Sequence, residues 1–302
     1  MIGPSTASET IQGVADAAEV KGRSLWADAR RRLLAHRAAV VAMAVLAVLV
    51  LLAVFGQALT PHGYNDQNYA YALGPPDLGQ QYYFGTDANG RDLFARSIYG
   101  LSISLMLGVA ATLVSLVIGV GWGATAGYLG GRVDNVMMRV VDILYSLPFM
   151  FFVIILMVVF GRNIFLIFVA LGAVEWLTMA RIVRGQTLAI REKEFIEAAV
   201  AAGLTSRQVI TRHIVPNLLG PVVVYITLTI PQVILVESFL SFLGLGVSEP
   251  QTSLGVLIKE GADQMEVAPW MLIFPATFLA TALFCFNFIG DGLRDALDPK
   301  DR

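Results

Sequence analysis

The sequence is poor in the residues that build metal centres and nucleotide-binding sites. It has one cysteine, Cys285, so an internal disulfide and a cysteine-rich metal site are excluded. Its three histidines are scattered and suggest no ligand cluster (His36, His62 and His213). All four lysines follow residues other than glycine, which excludes ATP binding through a Walker motif. We therefore expect no catalytic residue, no metal site and no cofactor in this chain.

Charge is also scarce, and this limits the partners. Only 15% of the residues are charged and the formal net charge is -2, so an electrostatic nucleic-acid binder is excluded. The first 20 residues lack an apolar core, and the first apolar run begins near Ala38, so we expect no cleavable signal peptide. Residues 24–37 instead predict an amphipathic helix whose arginines face lipid headgroups.

Apolar sequence is what the chain has in excess. Hydrophobic residues make up 56% of the chain and the mean hydropathy is +0.69, which indicates an integral membrane protein. Six apolar segments are each close to the roughly 20 residues that a spanning helix needs. They predict an all-α fold with six transmembrane helices in a membrane domain over residues 38–302. The predicted spans are 38–59, 102–126, 137–160, 164–182, 218–237 and 270–289.

The basic residues predict how these spans are oriented. Seventeen of the 21 lysines and arginines fall in segments on the same side as the N-terminus, and positive charge accumulates on the cytoplasmic side. We therefore expect a cytoplasmic tail over 1–37, a cytoplasmic loop over 183–217 and a cytoplasmic C-terminus. Loop 60–101 and segment 238–269 are then extracytoplasmic, and the short apolar stretch 238–246 predicts a re-entrant or interfacial helix there.

A hydrophilic stretch, residues 191–217, separates the fourth and fifth spans. It predicts two short helices joined at Gly203, which falls where a left-handed C-terminal cap belongs. Thr205 and Gln208 have the spacing of a capping box for the second helix. Pro216 is expected to end that helix.

The first of these two helices carries acidic and small residues. Glu194 and Glu197 lie near its start, where the helix dipole favours negative charge. Phe195, Ala199 and Ala202 recur at helical spacing and predict one apolar or small face. The two alanines at 198 and 199 would let the surface of another protein approach the helix backbone.

Small residues and a proline mark the second and third spans. Gly119, Gly123 and Gly127 recur at every fourth position, which predicts a helix packing seam, with part of a pore wall as the alternative. Pro148 is expected to kink the third span because proline removes a backbone hydrogen bond.

Glu175 is the most membrane-embedded acid in this interpretation, and acids at such depth are functional candidates. It pairs with Arg181 or Arg139, or it is turned towards water, or it contacts a peptide amino group or a proton. Arg139 and Asp142 lie three residues apart on one helix and are expected to neutralise each other.

The hydrophilic stretch also carries a family pattern. Glu197-Ala198-Ala199, three residues, Gly203, nine residues and His213-Ile214-Val215-Pro216 resemble the EAA loop of bacterial ABC-transporter permease subunits. His213 and Val215 depart from the general pattern in the way that is typical of its peptide-importing branch. Four further segments resemble signatures of the peptide and nickel permease family, and the chain is most similar to the oligopeptide branch of that family. The segments are 85–96, 127–148, 241–250 and 286–302.

The resemblance implies the type I importer permease fold in a bacterial inner membrane. The chain would form half of an oligopeptide translocation path beside a second permease subunit. Two ATPase subunits would bind ATP and Mg, and an extracytoplasmic peptide-binding protein would deliver the substrate. The residues that the family pattern assigns to ATPase coupling are Glu197, Ala198, Ala199, Gly203, His213 and Pro216.

Two alternatives stay open. The first is a permease for dipeptides, nickel or glutathione within the same family. The second is an ion-driven secondary transporter, which would need buried ionisable residues and an inverted repeat. Neither feature is clear in the sequence.

Overall fold

Helices make up most of residues 25–161 and 164–297, the parts of the chain that the computed structural model describes. Within them there is no β-strand, only two isolated bridges that pair Asp77 with Tyr82 and Thr86 with Asp92. Residues 1–24 of the predicted tail, residues 162 and 163, and the last five residues of the 286–302 signature lie outside the described residues. The helices are α1 (Leu25–Ala35), α2 (Arg37–Phe55), α3 (Leu93–Leu129), α4 (Gly131–Ser146), α5 (Phe149–Phe160), α6 (Ile164–Arg191), α7 (Glu194–Ala201), α8 (Ser206–Val209), α9 (Val215–Phe242), α10 (Leu254–Asp263) and α11 (Trp270–Leu297).

Five of the described helical segments are long and apolar enough to cross a membrane. They are Arg37–Leu59, Leu93–Leu129, Phe165–Arg191, Ser206–Phe242 and Trp270–Leu297. A sixth span exists only if α4 and α5 are counted together, and their axes differ by 78°. The expected kink at Pro148 is therefore a complete break. Leu147 is extended there and Pro148 caps the start of α5, which agrees with the exclusion of α conformation before proline.

The helices α3 and α6 approach each other along a row of glycines on α3. A Cβ atom added at Gly119 would lie 2.5 Å from the Met179 Cβ, and one at Gly123 would lie 2.4 Å from the Ala180 carbonyl oxygen. A Cβ at Gly127 would lie 2.8 Å from the Thr187 Cβ. No side chain fits at these distances, so the predicted packing seam is confirmed.

The spans bring the polar segments together at two opposite ends of the molecule. At one end, Gly292 near the end of α11 packs against Ala39 and Leu33, and the loop after α3 lies beside Arg191. We call this the α7 end, because α7 and α8 lie there. At the other end, Gly56 packs against Ile98, and Gly85 against Trp270. We call this the α10 end.

One expectation about the α10 end is wrong. The stretch 238–246 is not a separate re-entrant helix, because α9 continues without a break through Phe242. The chain turns only afterwards, at Gly244, which has a left-handed φ of 78°. The short helix at this end is α10, which starts at Leu254 behind the capping side chain of Ser253.

The glycine seam predicts a strong positional effect. We expect Gly123→Ala to lower the thermal unfolding temperature of the purified protein by several degrees, because the added methyl group would overlap the Ala180 carbonyl. Gly121→Ala is the matched control, because nothing lies within 4 Å of a Cβ at that position. Equal unfolding temperatures for the two variants would show that the seam is not tightly packed.

Candidate functional site

Helix α7 is a short exposed element that ends in a well-formed C-terminal cap. The Gly203 amide donates to the Val200 carbonyl at 2.9 Å, and the Leu204 amide donates to the Ala199 carbonyl at 3.2 Å. These two bonds form the Schellman motif, and Gly203 has the left-handed φ of 84° that the motif requires. A Cβ at Gly203 would meet nothing within 4 Å. The glycine is therefore needed for backbone conformation and not for space.

Helix α8 starts at the predicted capping box. The Thr205 Oγ1 accepts from the Gln208 amide, and the Gln208 Oε1 accepts from the Thr205 amide at 2.8 Å. A π-helical turn, Ile210–Ile214, then joins α8 to α9. The expectation that Pro216 ends this helix is wrong. Pro216 lies in the first turn of α9, next to the wide π turn, where a missing amide proton costs little.

The face of α7 that packs on the spans differs from the predicted one. Ile196 and Ala199 are 2% and 7% exposed, whereas Phe195 is 43% exposed and Ala202 is exposed as well. Ile196 belongs to an apolar cluster with residues of α3, α6, α8 and α9. Its burial contributes about 2 kcal/mol to holding α7 in place. The other buried members of the cluster are Ala124, Met179, Val183, Ala199, Val209, Ile214, Leu218 and Val222.

The opposite face of α7 is an open surface of small, acidic and apolar groups. Glu197 and Ala198 are exposed, and Val200 is 51% exposed. The six predicted coupling residues therefore separate into different environments. Glu197, Ala198, Gly203 and Pro216 are exposed, His213 is half-buried and Ala199 is buried. Of the two alanines that we expected to be accessible to another protein, Ala198 is exposed and Ala199 is buried.

Ion pairs fix α4 against α6 near the α7 end. Arg184 donates to both carboxylate oxygens of Asp134, each at 2.6 Å. Arg181 donates to Asp142 at 2.8 Å and stacks over the Tyr145 ring at 4.3 Å. The expected pairing of Arg139 with Asp142 is wrong, because Arg181 from the neighbouring helix holds Asp142.

A cavity of about 670 Å³ opens beside the break between α4 and α5. Residues of α4, α5, α6 and α9 line it, and most of them are apolar or aromatic. Glu175 is the only charged side chain in this lining, and it is half-buried. Among the described residues no cation pairs with Glu175, so the expected pairing with Arg181 or Arg139 is wrong. The lining residues are Leu144, Tyr145, Leu147, Phe149, Phe152, Ala173, Val174, Glu175, Trp176, Leu177, Thr178, Tyr225 and Gln232.

Glu237 is the buried acid that sequence reasoning missed. It is fully buried, whereas Glu175 is half-buried. The Ser241 hydroxyl donates to its Oε1 at 2.7 Å, and the Ser104 hydroxyl donates to its Oε2 at 3.3 Å. Ser104 also accepts from the Leu254 amide at 3.2 Å. Glu237 thus joins α9 to α3 and to the start of α10. In the sequence, only the spacing of Glu237 and Ser241 indicated such a link.

A second polar cluster lies at the α10 end. Arg96 is buried at the start of α3 and donates to both carboxylate oxygens of Glu260 on α10, at 3.1 and 3.0 Å. Its other terminal nitrogen lies 3.3 Å from Asp87. Burial raises the pKa of Glu260, and the charge of Arg96 opposes that rise. The pair fixes α10 to the start of α3.

Side chains of the turn before α3 cap that helix and bind a neighbouring segment. Asp92 caps α3 by accepting from the Phe94 amide at 2.8 Å. Arg91 does not pair with Asp92. It bonds to Asp87 at 2.6 Å and to Glu249 at 3.0 Å, so the segment before α10 is tied to the same turn.

Comparison with known proteins identifies related chains along the whole sequence. Residues 119–302 match the family described as the binding-protein-dependent transport system inner membrane component. Residues 24–76 match the N-terminal transmembrane domain of oligopeptide transport permease C.

Curated relatives extend this similarity to the full length. The chain is 57% identical to the oligopeptide transport system permease protein OppC of Escherichia coli (strain K12) over 98% of both chains. It is 53% identical to the Haemophilus influenzae protein of the same description, over 98% of this chain and 96% of that one. It is 43% identical to the dipeptide transport system permease protein DppC of Bacillus subtilis (strain 168), over 95% and 90%.

A solved structure shares the fold. A chain of the inward-facing MetNI methionine ABC transporter matches with a TM-score of 0.53 and 20% sequence identity. The match covers 66% of this chain and 94% of that one. The type I arrangement of the spans is therefore observed as well as predicted.

The hydrogen bonds that Ser104 and Ser241 donate to Glu237 predict that two substitutions at position 237 differ in their effect on stability. Glu237→Leu should lower the free energy of unfolding by about 2 kcal/mol, because buried hydroxyls at 104 and 241 lose their acceptor. Glu237→Gln keeps an oxygen that accepts from Ser241 and should unfold close to the parent protein. Denaturant or thermal unfolding of the purified variants measures this. Equal losses in both variants would contradict a hydrogen-bonding role.

Proposed function

Because the chain belongs to the family of binding-protein-dependent inner membrane transport components, we infer that it is a permease subunit of an ABC importer for oligopeptides. The identity of 57% over 98% of both chains to an oligopeptide permease carries this conclusion. The protein is a multi-pass component of the inner membrane and not itself an enzyme. Other permease, ATPase and binding-protein subunits complete the transporter.

We propose a defined set of partner subunits for this chain. One further permease subunit forms a heterodimer with this chain, and each contributes half of the translocation path. Two ATPase subunits bind ATP with Mg on the cytoplasmic side, and a peptide-binding protein docks outside. This chain contributes no nucleotide site in the proposal, since all of its lysines follow residues other than glycine.

The α7 end is the proposed ATPase contact. A surface with an exposed carboxylate, exposed small residues and half-exposed Phe195 and Val200 suits a groove with basic and apolar parts. Glu197 and Ala198 would touch the ATPase directly, and Pro216 would lie at the edge of the contact. Ala199 would act from inside by seating α7 on the spans. Gly203 and His213 would set the angle between α7 and the long helical segment Ser206–Phe242, which we call the rod.

Motion at α7 has a direct route across the membrane. The helix from Ser206 to Phe242 is continuous, so a displacement of its cytoplasmic end moves its outer end as well. That outer end carries Glu237, which is hydrogen-bonded towards α3 and α10. We propose that ATP-driven closure of the ATPases tilts this rod and opens the path towards the binding protein.

The orientation of the chain follows from this arrangement. We propose that residues 1–37 and the loop 183–217 are cytoplasmic, and that loop 60–101 and segment 238–269 form the outer vestibule. The strong bias of lysine and arginine towards the α7 end supports this orientation.

The related substrates of the family are weaker candidates. The dipeptide permease relative is 43% identical, compared with 57% for the oligopeptide permease. Nickel and glutathione have no comparable support. Uptake in proteoliposomes that follows a proton gradient and ignores ATP would favour the ion-driven alternative.

The coupling role predicts that ATPase binding depends on Ala198. We expect Ala198→Arg to reduce the ATPase that copurifies with the permease at least fivefold, because a long cationic side chain would hold the two surfaces apart. Ala72→Arg, a change at an exposed alanine of the outer loop, should have no effect. Membrane insertion of both variants, measured by protease protection, serves as the control. Unchanged copurification with Ala198→Arg would exclude this face as the contact.

The orientation has its own test. In a Cys285→Ser background, single cysteines at Arg30 on α1 and at Tyr69 on the outer loop are both exposed. A membrane-impermeant maleimide should label intact spheroplasts only at position 69. Both positions should react after the membrane is permeabilised. Labelling of position 30 in intact cells would reverse the assignment.

A further inference from the structure

We propose that the cavity around Glu175 is a subsite for the ammonium group of the transported peptide. The proposal rests on the proposed function, because it needs a peptide that passes along the permease. It assigns a chemical role to one side chain, which the role of the chain as a permease does not by itself provide.

The position of Glu175 places it far from both ends of its helix. It lies 11 residues after Ile164, or about 16 Å along the axis of α6. The cavity that it faces is open at one side and is large enough for several residues of a peptide. A carboxylate at this position therefore faces open volume in the middle part of a spanning helix and not at its polar ends.

The surroundings of Glu175 leave its charge without a counterion in the described part of the chain. The nearest basic residue along α6, Arg181, donates to Asp142 and stacks on Tyr145, and Arg184 is held by Asp134. An acid in an apolar site is costly unless a positive group or hydrogen bonds compensate it. A passing ammonium group supplies that compensation for as long as it stays in the cavity.

The rest of the lining suits the other parts of a peptide. Thr178, Tyr225 and Gln232 offer hydrogen-bonding groups, and Trp176 and Phe152 offer aromatic surface. Apolar contacts are not directional, so side chains of different size are accepted. The cavity thus combines one specific charge with weak selectivity elsewhere, which fits a path that must release every peptide it admits.

The contrast with Glu237 supports this assignment. Both are acids in the interior of spanning helices. Hydroxyl groups donate to both carboxylate oxygens of Glu237, which is fully buried. Glu175 is half-buried and faces open volume. The first is thus committed to holding helices together, whereas the second is free to meet a substrate.

The first experiment uses the complete transporter in proteoliposomes with its binding protein. Uptake of two peptides, Ala-Ala-Ala and Ala-Lys-Ala, is measured with ATP at low peptide concentration. We expect Glu175→Gln to lower uptake of at least one peptide about tenfold, because a charge-assisted hydrogen bond is lost. An equal loss for both assigns the N-terminal ammonium, and a loss confined to Ala-Lys-Ala assigns the lysine side chain. Glu266→Gln, a change at an exposed acid outside the cavity, should leave uptake unchanged.

A charge-restoration experiment separates charge from packing. Glu175→Cys in a Cys285→Ser background is treated with a methanethiosulfonate that adds a sulfonate, or with a neutral reagent that adds a methyl group. We expect the anionic reagent to restore uptake and the neutral reagent to leave it low. The Cys285→Ser complex treated in the same way controls for thiols on the partner subunits.

Several results would overturn the proposal. One is unchanged peptide uptake with Glu175→Gln, and another is equal restoration of uptake by the two reagents. The last is a Glu175→Gln permease that no longer assembles with its partner subunits. The last would mean that Glu175 contacts the second permease subunit. Absence of ATP-dependent uptake by the unmodified complex would instead count against the proposed function. The two failures are therefore distinguishable.

Discussion

The close approach of α3 and α6 is the contact on which the rest of the structure depends. Lipid offers apolar helices no hydrophobic reason to associate, so close packing of backbones must supply the attraction. Gly123 lets the two helices meet with the Ala180 carbonyl directly against its Cα. Helix α6 also carries Glu175, and α7 follows directly from its end. This contact therefore positions both the cavity wall and the short helices α7 and α8. The start of α3 carries Arg96, so the same contact positions the α10 end.

The two ends of the molecule are built for different tasks. At the α10 end, charged and hydroxyl groups are buried and bonded to one another, as Arg96 is to Glu260. At the α7 end, one face of α7 is seated by Ile196 and the other is open. The rod from Ser206 to Phe242 joins these ends and is about 55 Å long for its 37 residues. That exceeds the roughly 30 Å of a hydrocarbon core, so the rod reaches the polar regions at both ends.

Sequence reasoning succeeded where the determinant is local and failed where a distant partner decides. The cap at Gly203 and the box of Thr205 and Gln208 depend on a few adjacent residues, and both were predictable. Helix phase was not, because α7 is short and Phe195 and Ile196 compete for the inward position. The partner of Asp142 was also hidden, because Arg181 comes from another helix. Pro216 misled because a proline ends a helix in one context and starts one in another.

The buried acids show the same limit in functional terms. From sequence, Glu175 and Glu237 differ only in their place along an apolar segment, and only Glu175 was singled out as a functional candidate. The distinction comes from Ser104, which lies far from Glu237 in the chain and donates to it only after α3 packs against α9. A carboxylate that receives hydroxyl donors is a structural link, and one that faces an apolar cavity without a counterion retains its capacity for a cation. Three-dimensional packing therefore separates two acids that look equivalent in the sequence into one that links helices and one that we propose binds a peptide ammonium group.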